Sequence, residues 1–89
     1  MEVLYRKAFL KDLKKLKNLS AYDRVFRLAF SDLPEAEALR DLAGLKAMKG
    51  YPNRYRIRIG NYRVGLESSG HKIELFRVLH RGVFYRCFP

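Results

Sequence analysis

Arg54-Tyr55-Arg56-Ile57-Arg58-Ile59-Gly60-Asn61-Tyr62-Arg63-Val64-Gly65-Leu66-Glu67 is the stretch that decides the fold. It alternates with period two, so it reads as two strands, each with one apolar and one basic face. Gly60-Asn61 tolerates positive φ and closes a two-residue hairpin loop. That loop length fixes the register. Ile59 falls opposite Tyr62, Ile57 opposite Val64 and Tyr55 opposite Leu66 on the apolar face. The other face pairs Arg58 with Arg63, Arg56 with Gly65 and Arg54 with Glu67. Like charges directly opposite each other destabilise a sheet. The Arg58/Arg63 pair therefore points to a floor that binds a polyanion. The plainer alternative is a solvated face whose arginines keep the sheet soluble and its edges unpaired. Gly65 leaves a gap in the side-chain layer, of the kind that marks close approach by a ligand or another backbone.

The chain has 89 residues, the size of one small domain (1–89) with a modest core. Its net charge of +10 is unevenly placed. Residues 1–45 hold 9 Lys/Arg against 7 Asp/Glu, whereas residues 46–89 hold 10 against 2, a balance of +2 against +8. A pI of about 10.1 with charge gathered on the sheet-forming half is the footprint of a nucleic-acid binder. An acidic protein partner would suit the same charge. The single cysteine, Cys87, permits no internal disulfide, so a reducing cytoplasm is expected. No apolar run is long enough to span a membrane, and the N-terminus has no signal-peptide h-region. There is no metal-ligand cluster and no Gly-rich phosphate loop. His71 and His80 are too few and too separated for a metal site, so no metal or cofactor is implied.

In chain order, Glu2 to Arg6 reads as a first strand with Val3 and Tyr5 on one face. Phe9, Leu13 and Leu16 then recur at helical spacing among lysines, giving an amphipathic helix over residues 7–17. Ser20 with Asp23 three residues on resembles a helix N-cap. Tyr22, Phe26, Ala29 and Leu33, broadened by Val25 and Phe30, form an apolar stripe that should face the core. This second helix is expected to end before Pro34. Pro34 to Leu42 reads as a short third helix ended by Gly44. Residues 45–53 read as a basic connector. Ile73 to Leu79 is an apolar run suited to a central strand covered on both faces. The tail, residues 81–89, is aromatic and basic, which suits stacking on unpaired bases; the plainer alternative is that it packs Phe84 and Phe88 on the core.

Three pieces in this order resemble the RelE/ParE superfamily of toxin–antitoxin toxins. They are Lys46 to Asn53, the hairpin Tyr55 to Arg63, and His80-Arg81 with Tyr85-Arg86 and Phe88-Pro89. The resemblance implies an α+β, RelE-like fold: an N-terminal strand and helical hairpin packed on a curved, mainly antiparallel sheet. It implies a cognate antitoxin as partner. For the RelE branch it also implies ribosome-dependent mRNA cleavage without a metal, by attack of the RNA 2′-hydroxyl on the adjacent phosphate. Carried over position by position, the catalytic set is Arg56, Arg58, Arg63, Arg81 and Tyr85. Lys46, Lys49, Arg54, Arg77 and Arg86 flank it and are the expected RNA-backbone contacts. RelE-like enzymes often carry lysine where this chain has Arg56 and Arg58. Arginine effectively cannot accept a proton, so the base must come from elsewhere. His80 belongs to the residue type that titrates near neutrality and is the first candidate, unless it is a structural histidine at the strand end. Tyr85 is the other. The ParE branch, which poisons DNA gyrase without this residue set, and a degenerate toxin acting mainly as antitoxin partner are the alternative functions.

Overall fold

A computed structural model describes all residues from Met1 to Pro89. Five strands form one sheet: β1 (Glu2–Tyr5), β2 (Leu45–Ala47), β3 (Arg54–Ile59), β4 (Tyr62–Ser69) and β5 (Lys72–His80). Their order is β1-β5-β4-β3-β2. β1 runs parallel to β5, and the other three pairings are antiparallel. The expected α+β architecture is therefore the observed one, and β5 lies inside the sheet as its apolar composition demands.

The hairpin register read from the two-residue loop holds at all six pairs, including Arg58 opposite Arg63 and Arg56 opposite Gly65. The Tyr55, Ile57, Ile59, Tyr62, Val64 and Leu66 face joins Ile73, Leu75 and Val78 of β5 to make the main core. α1 (Lys7–Lys15) covers it with Phe9 and Leu13, and Leu16 follows just past the helix end. α2 (Ala21–Arg27) adds Val25 and continues unbroken through a π-helical segment (Leu28–Asp32) into one last turn, α3 (Leu33–Glu35).

Several expectations are corrected. Ser20 begins α2 in helical geometry and makes no side-chain cap bond. The helix does not stop before Pro34. The π segment bonds the Leu33 amide to the Leu28 carbonyl, five residues back. This wider turn lets the chain carry a proline, which has no N–H to donate, for one more turn. The expected third helix is reduced to a 3₁₀ turn at Leu39–Asp41, because Ala36 is already extended. Phe26 and Phe30 are 45% and 39% exposed, so the inward stripe is Val25, Leu28, Ala29 and Leu33. Finally, the basic connector contains an edge strand, β2, and the tail is a helix, α4 (Arg81–Cys87). α4 lies on the arginine-bearing face, where Phe84 and Phe88 meet Phe76 of β5 in a second, smaller core.

Candidate functional site

The arginine face is built in rungs that run across the strands. The first rung, Arg54–Glu67–Glu74, is neutralised. Arg54 Nε donates to Glu67 Oε2 at 3.0 Å, and Arg6 Nε donates to Glu74 Oε2 at 2.7 Å. Both guanidinium groups also lie against the Phe76 ring, at 3.6 Å for Arg6 and 4.7 Å for Arg54. Arg54, expected to meet RNA, is thus engaged by Glu67 and the Phe76 ring.

The second rung is Lys46–Arg56–Gly65. The gap over Gly65 is filled from within. A Cβ built there would lie 2.7 Å from the Cγ and Cδ2 atoms of Phe88. The expected close approach occurs, but the visitor is the chain's own aromatic ring. The third rung sets Arg58 beside Arg63 and Leu79. Arg63 Nη1 donates to the carbonyls of Gly60 and Tyr62 at 2.8 and 2.9 Å, folding back over the hairpin turn. These bonds tie the Arg63 guanidinium to the carbonyls of its own hairpin turn. Uncompensated charge is therefore concentrated on the second and third rungs.

Lys46, Lys49, Arg56 and Tyr85 line one open groove of about 320 Å³, together with Ala47 and Met48. Arg56 Nη1 donates to the Gly44 carbonyl at 2.8 Å, which fixes its stem along the β2 edge. Tyr85 is 56% exposed while its neighbour Phe84 is fully buried, so α4 holds the phenol out of the core. At the start of α4 the Arg81 amide donates to the Asn61 carbonyl at 2.8 Å, bringing the helix N-terminus to the hairpin turn beside Arg63. The Arg86 guanidinium bonds back to the Gly82 carbonyl at 3.2 Å.

Two expected members do not join. His80 stands opposite Tyr62, on the face that carries the main core, with its ring edge-on to that tyrosine at 5.5 Å. Its Nδ1 accepts the Gly82 amide at 3.1 Å and so caps α4. His80 thus caps α4 at the strand end and stands apart from the groove that holds Tyr85. Arg77 starts opposite Gly65 but turns over the open edge of β5, where β1 has ended. There Asp12 of α1 accepts both its Nε (2.7 Å) and its Nη2 (3.1 Å), as well as the Val78 amide (3.1 Å). The bond to Asp12 raises the Arg77 pKa above the ordinary arginine range against the opposing effect of burial. Arg77 is a bracket between α1 and the sheet, engaged by Asp12 rather than free in the groove.

Sequence reasoning missed Met48, whose side chain packs on the second core, and Gly44, whose carbonyl accepts both the Arg56 guanidinium and the Arg58 amide. The alternation Leu45-Lys46-Ala47 was the available signal, but three residues are too few to announce a strand.

A small α+β unit with a two-helix cover, a basic hairpin and a helix carrying tyrosine onto its arginine face defines a class. Residues 3–83 match the family model described as ParE toxin of the type II toxin–antitoxin system parDE. The chain belongs to the RelE/ParE superfamily of type II toxins. It is 42% identical, over the full length of both chains, to Toxin RelE3 of Methanocaldococcus jannaschii. It superposes on the RelB–RelE antitoxin–toxin complex from Methanococcus jannaschii with a TM-score of 0.78 and 38% identity, covering 97% of this chain and 99% of that one. The toxin–antitoxin complex RelBE2 from Mycobacterium tuberculosis gives 0.67 at 24% identity, with 90% of each chain covered, and supports the fold alone.

Proposed function

We propose that this toxin is a ribosome-dependent mRNA endoribonuclease held inactive by a cognate antitoxin. The observation that carries the reading is the groove in which Tyr85 stands among Lys46, Lys49 and Arg56, next to the Arg58/Arg63 rung. In the reaction, the RNA 2′-hydroxyl gives up its proton and its oxygen bonds to the adjacent phosphorus. The bond from phosphorus to the 5′-oxygen breaks, and that oxygen takes a proton. A cyclic phosphate and a 5′-hydroxyl result. Negative charge grows on the phosphoryl oxygens as the new bond forms. Arg56, Arg58, Arg63 and Arg81 supply preorganised donors for it. Tyr85 is the group in the groove whose oxygen can both accept and donate, so it takes the proton-handling role in preference to His80. Lys46, Lys49 and Arg86 hold the flanking phosphates.

The antitoxin reading is supported by the 38%-identical relative solved as a RelB–RelE antitoxin–toxin complex and by the +8 balance of residues 46–89, which suits an acidic segment. Because the matching family model bears the ParE name, gyrase is the second reading. Incubation with translating ribosomes followed by mapping of mRNA 5′ ends tests both when run beside a gyrase supercoiling assay. New ends inside codons at the ribosomal decoding site are the expected result. Intact mRNA with inhibited supercoiling would transfer the chain to the second reading.

A further inference from the structure

We infer that Gly65 and Phe88 form a seat that sets where Tyr85 stands in the groove, making both of them positioning residues for cleavage; the inference rests on the ribonuclease reading above. Two kinds of anchor hold α4. Its N-terminal end is fixed through its own amides, Arg81 N–H donating to the Asn61 carbonyl and Gly82 N–H to His80 Nδ1. Its other end is fixed by two buried rings, Phe84 and, just past the helix, Phe88. Phe88 is 2% exposed and rests directly on the Gly65 backbone, where a Cβ would come within 2.7 Å of it. Tyr85 lies between the two anchors, its ring edge-on to Phe84 at 5.0 Å. The height of Phe88 over the sheet therefore tilts the segment that carries the phenol.

The walls of the seat are built with the same care. Phe76 meets Phe88 edge-on at 5.6 Å. Arg54 lies 5.6 Å from the Phe88 ring and is itself held by Glu67. Arg6, held by Glu74, covers Phe76 from the β1 side. Two carboxylates thus hold two guanidinium groups, and these hold the aromatic wall. A helix that had only to cover apolar surface could rest on alanine. Glycine in a strand interior is a destabilising choice, and here it brings the helix closer than any side chain would permit. A displacement of about 1 Å at a reacting group can lower a rate ~100-fold.

The test compares Gly65→Ala, Phe88→Ala and the double variant by three readouts: melting temperature, amide hydrogen exchange across residues 81–88, and single-turnover mRNA cleavage on ribosomes. Gly65→Ala should stay folded, exchange faster in α4 and lose roughly 10- to 100-fold in turnover at saturating ribosomes, with KM nearly unchanged. Phe88→Ala should do the same, and it carries the expectation alone should Gly65→Ala fail to fold. The double variant should match Phe88→Ala, because the ring that the added methyl group strikes is gone. Parental turnover in Gly65→Ala, or a double variant whose losses multiply, would overturn the seat. Absence of cleavage by the parent would count against the ribonuclease reading, while the exchange measurements would still decide the seat: α4 protection unchanged by Gly65→Ala sinks it.

Discussion

Asp12 shows how much one buried carboxylate can organise. It is 4% exposed and accepts three hydrogen bonds, from Arg77 twice and from the Val78 amide. The amide is there to be satisfied because β1 pairs with β5 only as far as Leu75. Asp12→Ala would strand that N–H and leave Arg77 without its partner. A loss of about 2–3 kcal/mol is expected, visible as a fall of roughly 10 °C or more in melting temperature. Asp12→Asn keeps an acceptor and should lose less. Arg63 presents the opposite case. Its two hydrogen bonds run to turn carbonyls of its own hairpin, and removing it relieves the repulsion with Arg58. Arg63→Ala should change stability by less than about 0.5 kcal/mol while lowering cleavage ~100- to 1,000-fold. A large drop in melting temperature would assign the arginine to structure. At Tyr85 the ring and the hydroxyl separate cleanly. If the phenol handles the proton, Tyr85→Phe and Tyr85→Ala fall together; activity surviving in Tyr85→Phe alone would reduce the residue to stacking.

Among the elements, those with a long or tightly constrained pattern were legible in the sequence. The hairpin was readable to the residue because a two-residue loop leaves no freedom in register. β1 and α1 were readable from Val3, Tyr5, Phe9 and Leu13, which keep strict period. β2 was not, because its three residues become a strand only through pairing with β3, and nothing local to Leu45-Lys46-Ala47 demands it. α4 was hidden because its apolar anchors, Phe84 and Phe88, answer to a core on the arginine face that the alternation of β3 and β4 does not foretell. The same blindness left the candidate site half-read. Parity placed Arg56, Arg58 and Arg63 together, but it could not show that Arg54 and Arg77 were already engaged elsewhere. Gly44 tests the β2 edge. It has φ +77, its carbonyl accepts both the Arg58 amide and Arg56, and a Cβ would lie 2.8 Å from the Arg58 carbonyl oxygen. Gly44→Ala is expected to cost more than about 1 kcal/mol and to move Lys46 relative to Arg56. It should lower cleavage in a protein that denaturant titration finds still cooperative.

Charge and burial act across the whole molecule with different signatures. An antitoxin bound through the basic half should dissociate more readily as ionic strength rises. Affinity equal at about 0.05 and 0.5 M salt would rule against an electrostatic interface. Alkaline pH probes the helical side. Tyr5 donates its hydroxyl proton to the Ala29 carbonyl at 2.7 Å, and burial raises its pKa. The folded state therefore keeps a proton that the unfolded chain releases. This contribution is fully present below the ordinary tyrosine range and is lost as pH rises through the raised folded value. Denaturation midpoints should fall as pH rises past the ordinary tyrosine value of about 10, and Tyr5→Phe should flatten part of that fall. The parallel pairing of β1 with β5 has a consequence in time. Glu2 lies beside Lys72, so β1 waits for β5 to emerge before it can dock. At roughly 5–20 residues per second the delay lasts several seconds. The helical pair can condense early, while the sheet edge that β1 closes stays open. The groove at Tyr85 must wait longer still. A ribosome making this chain has therefore read past the codon for Tyr85 before the nascent protein holds that groove complete.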